Sequence, residues 1–93
     1  MVNWNEFLNK IENANRVTVN YDDGAITSYA DFGDNFTFNV DPFGQTIEFV
    51  AQSGFMFDCP IDEIESGDEE NDGIVFDHNG ATVTITIINT TNN

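Results

Sequence analysis

The chain has 93 residues and sets 17 acids against two bases, Lys10 and Arg16, for a formal net charge of −15. Two cations cannot neutralise a run of phosphates, so the charge balance argues against direct nucleic-acid binding and against attachment to an anionic membrane surface. Hydrophobic residues still make up 40% of the chain and aromatics 13%. That is enough for a folded core, so the acidity does not signal disorder, and the length holds a single domain, 1–93.

The first predicted element is a helix. Trp4, Phe7, Leu8, Ile11 and Ala14 recur at helical spacing and form one apolar stripe. Asn3 suits the N-cap, and Glu6 stands where it would complete a capping-box-like pair. Asn13 and Asn15 mark the end.

From Arg16 the period changes to two. Val17, Val19 and Tyr21 alternate with Arg16, Thr18 and Asn20, and Asp23-Gly24 signals a hairpin turn. A returning strand follows at Ala25 to Ala30, then a third in which Phe36, Phe38 and Val40 alternate with Asn35, Thr37 and Asn39. Asp41-Pro42-Phe43-Gly44 reads as a turn, and Thr46 to Ala51 as a fourth strand with Ile47 and Phe49 inward. A four-stranded meander is the simplest topology. Gln52 to Cys59 fits either a short strand or a loop plugging the sheet. The segment 58–73 reads as an acidic loop with room for one helical turn at Asp62 to Glu65. Ile74 to Asp77, Asn79-Gly80 and Ala81 to Ile88 form the clearest hairpin, and 90–93 is a frayed tail.

The expected class is therefore α+β: one N-terminal helix packed on an antiparallel sheet of about five to six strands, a meander plus a C-terminal hairpin. The outer sheet face is expected to be Thr, Asn and Tyr rather than charged.

Cys59 is the lone cysteine, so no internal disulfide forms, and a reducing, cytoplasmic setting is expected. Met1 to Asn15 has neither the basic start nor the apolar stretch of a signal peptide. His78 stands alone beside a turn, and Cys59 precedes Pro60 among acids that disfavour the thiolate. With no phosphate-binding glycine loop and no zinc spacing, no catalytic residues, no cofactor and no enzyme activity are expected. Asp68, Glu70, Asp72 and Gly73 imitate positions 1, 3, 5 and 6 of a calcium loop, but Asn79 stands where its bidentate Glu belongs. Weak calcium binding is a minor alternative, and no metal ligand is assigned.

More than half the acids fall between Asp58 and Asp77. The candidate partner-binding residues are Asp58, Asp62, Glu63, Glu65, Asp68, Glu69, Glu70 and Asp72. A net charge of about 2–8 suffices for solubility, so the excess points to recognition of a cationic surface. Affinity also needs apolar anchors, for which Tyr21, Tyr29, Phe32, Phe43 and Phe55 are the candidates.

In size, scarcity of Lys and Arg, helix-then-strands order and clustered acids, the chain resembles the small acidic inhibitors that phages encode against host nucleic-acid enzymes. These include anti-CRISPR proteins, the uracil-DNA glycosylase inhibitor and other DNA mimics. The resemblance covers the whole chain and rests on no single motif. It implies a cytoplasmic protein, acting in the host cell if phage-encoded, as a monomer or small homo-oligomer. Its partner would be a basic nucleic-acid-binding protein such as a CRISPR effector nuclease, which it would block as a nucleic-acid mimic. A second expectation is an accessory or structural protein that assembles through a sheet edge, with the C-terminal hairpin (Val83, Ile85, Ile87, Ile88) as that edge.

Overall fold

The computed structural model describes residues 1–89; the expected frayed tail lies outside the described residues. Helix α1 spans Trp4–Glu12, with Phe7 and Ile11 buried. Asn3 caps it, its side-chain oxygen accepting the Glu6 N–H at 3.1 Å. The reciprocal half of the cap is not supplied by Glu6. The Asn3 N–H donates instead to Glu69 Oε2 at 3.3 Å, which places a negative charge at the positive end of the helix.

Eight strands follow: β1 (Arg16–Asp22), β2 (Thr27–Asp31), β3 (Thr37–Asp41), β4 (Thr46–Val50), β5 (Met56–Pro60), β6 (Asp68–Glu70), β7 (Gly73–His78) and β8 (Ala81–Ile88). A short helix α2 (Ile61–Glu65) lies between β5 and β6. The α+β class and the N-terminal helix stand as expected. The strands, however, divide into two antiparallel sheets, ordered β2-β1-β8-β7-β6 and β3-β4-β5, in place of one sheet of five to six.

The four-stranded meander breaks after β2 for a local reason. Phe32 is buried at 2% exposure and its N–H donates to the Val17 carbonyl, pinning the end of β2. Gly33 then adopts φ +76, a left-handed turn that sends the chain away from the first sheet. The free side of β1 is taken by β8, in register from Arg16↔Ile88 to Asp22↔Thr82.

The C-terminal hairpin forms as expected, with Asn79 and Gly80 both at positive φ, the signature of a type I′ turn. Yet β8 lies between β1 and β7, so this hairpin is not a sheet edge. The segment 58–73 is not a loop either. Asp58 belongs to β5, Asp62, Glu63 and Glu65 to α2, and Asp68 to Glu70 to β6.

The inner rows of both sheets meet in one core. Val17 and Val19 of β1, Val83 and Ile85 of β8 and Phe76 of β7 join Ile47 and Phe49 of β4 and Ile64 of α2. Each large side chain fully buried there contributes about 1.5–3 kcal/mol of hydrophobic stabilisation. Two glycines permit close backbone approach, Gly67 after α2 and Gly73 at the start of β7. A Cβ on Gly67 would lie 2.3 Å from the Val75 carbonyl oxygen, and one on Gly73 would lie 1.9 Å from that of Ile85.

Candidate protein-binding surface

Seven of the eight expected acids stand on strands or on α2, Asp72 stands in a turn, and they do not form one patch. On α2, Ile64 is fully buried and acts as a plug, which turns Asp62 outward. Glu63 leans onto the hairpin: its Oε1 lies 2.6 Å from His78 Nδ1, with both side chains partly buried. Glu65 is half-buried and its carbonyl accepts the Val2 N–H at 3.1 Å. On β6, Glu69 caps α1, and the Met1 amino group lies 3.6 Å from Asp68 Oδ1. Asp72 follows in the turn to β7, where its carbonyl accepts the Ile87 N–H at 2.6 Å. The acidic segment therefore has two tasks. Glu63 and Glu69 make contacts that hold the scaffold, and Asp58, Asp62, Asp68, Glu69, Glu70 and Asp72 are exposed.

Register assigns these exposed acids to faces. Asp68 sits opposite Val75, which sits opposite Thr84; Glu70 sits opposite Gly73, which sits opposite Thr86. Both acids thus lie on the outer face of the five-stranded sheet. Asp77, paired with Thr82, and Asp22, also paired with Thr82 from the other side, share that face. Asp31, opposite Thr18, completes the far margin. The outer face is a field of Thr and Asn bordered by carboxylates, not the uncharged surface expected. On the three-stranded sheet Asp58 is directly opposite Glu48, which is opposite Asn39. Like charges directly opposite each other cost stability. Asp31 and Glu48 escaped the sequence reading because it weighed clustering along the chain. Their alternation with buried residues carried the signal.

Positive charge does little to offset this. Arg16 is held by Asp31 through a bidentate contact, with Nη2 to Oδ2 at 2.5 Å and Nε to both oxygens at 3.1 Å. The Arg16 hydrogen bonds, joined by the Gly33 N–H, hold the Asp31 carboxyl below its ordinary range. Asp23 is lowered similarly by the backbone N–H groups of Ile26 and Ala25.

The apolar candidates separate cleanly. Phe32 is core, and Tyr21 is packed against it. Phe43 at the β3–β4 turn is 97% exposed, Tyr29 67% and Phe55 52%.

Cys59 is buried, and its thiol is pushed up to about 12 by desolvation first and then by Glu63 and Asp58, so it stays protonated at neutral pH. His78 is engaged by Glu63, meets the Phe57 ring edge-on and has Asn79 Nδ2 3.3 Å from its Nε2. The calcium-like run is a β-hairpin: Asp68 and Glu70 are strand residues and Gly73 begins the next strand. No three carboxylate, His or Cys groups gather into a cation site among the described residues. Among the described residues, no helix is long and apolar enough to cross a membrane.

No family model, curated protein or solved structure matches this chain.

Proposed function

We propose that this protein is an acidic inhibitor that occupies the positively charged nucleic-acid-binding surface of a nuclease, such as a CRISPR effector, and blocks DNA or guide RNA binding as a nucleic-acid mimic. The observation that carries the reading is the mounting of the acids. Carboxylates on ordered strands and on a plugged helical turn keep fixed spacings, as phosphates do, so little ordering entropy is lost on binding. The molecule measures 38 × 27 × 26 Å. A duplex of its long dimension carries about 22 phosphate charges at about one per 1.7 Å, the same order as the net charge of −15. On this reading it works in the cytoplasm of a bacterial host.

The test is competition. A nuclease bound to a fluorescent duplex is titrated with the protein, and displacement is followed at 0.05–0.5 M salt. Displacement that weakens steeply with salt is the expected result. Neutralising Asp58, Asp62, Glu70 and Asp72 together (to Asn or Gln) weakens it further while leaving the fold intact, because those side chains are exposed. Displacement indifferent to both salt and that quadruple variant overturns mimicry.

A further inference from the structure

We infer that the open edge of β3 is a docking edge for an extended segment of a partner protein in which apolar residues alternate with Lys or Arg. This goes beyond mimicry, since it holds whether or not the partner's basic surface normally carries nucleic acid.

The inference starts from pairing. β3 is an edge strand, bonded to β4 from Thr37↔Val50 to Asp41↔Thr46. Among the described residues its backbone makes one further bond, the Asp41 carbonyl accepting the Gln45 N–H at 2.8 Å. Alternate N–H and C=O groups along the other side are left as a template for another strand. The other edges are less open. β6 has three residues, all acidic. β5 runs straight into α2, and β2 carries the Arg16–Asp31 clamp at its end. β3 has no Lys and no Pro, and its one charge, Asp41, stands at its end.

Side-chain parity then defines the occupant. On the inner side of β3 lie Phe38, packed against the core, and Val40, still 36% exposed. Phe43, in the turn two residues past β3, is almost wholly uncovered. On the outer side lie Thr37, Asn39 and Asp41, with Glu48 directly behind Asn39. A strand added here sets one row of side chains against Phe38 and Val40 and the next row beside Asp41 and toward Glu48. Apolar residues suit the first row and cations the second. A second copy of this chain is disfavoured as the occupant, because each copy carries −15.

The test uses the intact protein and a labelled seven-residue peptide alternating Lys and Val, with blocked ends. Its control has the same composition with the lysines grouped. Expected are binding of the alternating peptide at least tenfold tighter at 0.15 M salt and slowing of amide exchange within Thr37–Asp41 by tenfold or more. Phe43→Ser weakens the binding about threefold or more without moving the thermal midpoint. Equal binding of the two peptides overturns the inference, as does protection that falls on β2, β5 or β6. So does protection of β3 in the free protein through self-association. Because no nucleic acid enters this assay, its failure leaves the competition test standing, and the reverse also holds.

Discussion

Glu63 Oε1 and His78 Nδ1 meet at 2.6 Å, tying the helical turn α2 to the β7–β8 hairpin. Glu63 is thus a structural member of the acidic segment, not a displayed one. Replacing it with Ala should destabilise the fold by about 1–2 kcal/mol, the usual loss for a partly buried bond to a charged group. Asp62→Ala, one position away and exposed, should leave stability within about 0.5 kcal/mol. Urea denaturation of the two variants checks the contrast; equal losses would refute the division of labour.

Gly67 is required by contact rather than by turn geometry. Its missing Cβ would stand 2.3 Å from the Val75 carbonyl oxygen and 2.7 Å from Phe76 Cβ. Gly67→Ala should cost about 3 kcal/mol, at the upper end of ordinary overpacking, since a strand backbone must move. Gly54→Ala is the control. It stands at φ +99 in open space, so its cost is the backbone strain of about 1–2 kcal/mol. The midpoint of chemical denaturation ranks the two.

Salt should act oppositely on folding and on binding. The net charge of −15 repels itself in the compact state. Raising sodium chloride from about 0.01 to 0.5 M shortens the Debye length from about 30 Å to under 10 Å. The thermal midpoint of the free protein should rise by several degrees, while affinity for a basic partner falls. A midpoint that drops with salt would contradict the repulsion argument.

Acid should remove two local supports. Asp31 and Asp23 have folded carboxyl pKa values below their ordinary ones, Asp31 mainly through Arg16 and Asp23 through backbone N–H donors. A depressed carboxylate stabilises the fold above its unfolded pKa of about 3.9, and that support disappears as pH falls through the lower folded value. Asp23→Asn and Asp31→Asn should therefore be less stable than the parent at pH 7, with the gap closing as pH falls below the ordinary carboxylate range. Thermal melts across pH 2–7 read the gap directly.

Cys59 should report unfolding. The thiol is buried and raised to about 12. Labelling by a thiol reagent at pH 8 should then track the unfolded population and accelerate steeply with urea. Rapid labelling of the native protein would contradict the burial.

The local pattern was legible where one residue type determines the outcome. The stripe from Trp4 to Ile11, the period of two from Arg16, and Asn79-Gly80 each forced their element. The split into two sheets was not legible. It depends on Phe32 entering the core and on β8 occupying the side of β1 that a simple meander leaves open, and both are long-range events. The acidic run misled for a related reason. Its charge suggested a loop, but Ile64, Gly67 and Ile74 are the residues that fixed its structure, by burial and close approach. Within it the display was readable at Asp62 and Glu70, whereas the scaffold duties of Glu63 and Glu69 depend on His78 and Asn3, far along the chain.

The placement of β8 has a kinetic consequence. Arg16, in the first strand, is paired with Ile88, in the last, and Val17 with Ile87. The central pairing of the large sheet must therefore close a loop containing nearly every other strand, at the full entropic cost of that closure. Chains with such distant pairings fold slowly for their size. On the ribosome the hairpins β1–β2 and β3–β4 emerge early, but β1 has no second neighbour until β8 has been made. Until then Val17 and Val19 lack their pairing with Ile87 and Ile85, and mutual repulsion among the nascent acids opposes association of such chains.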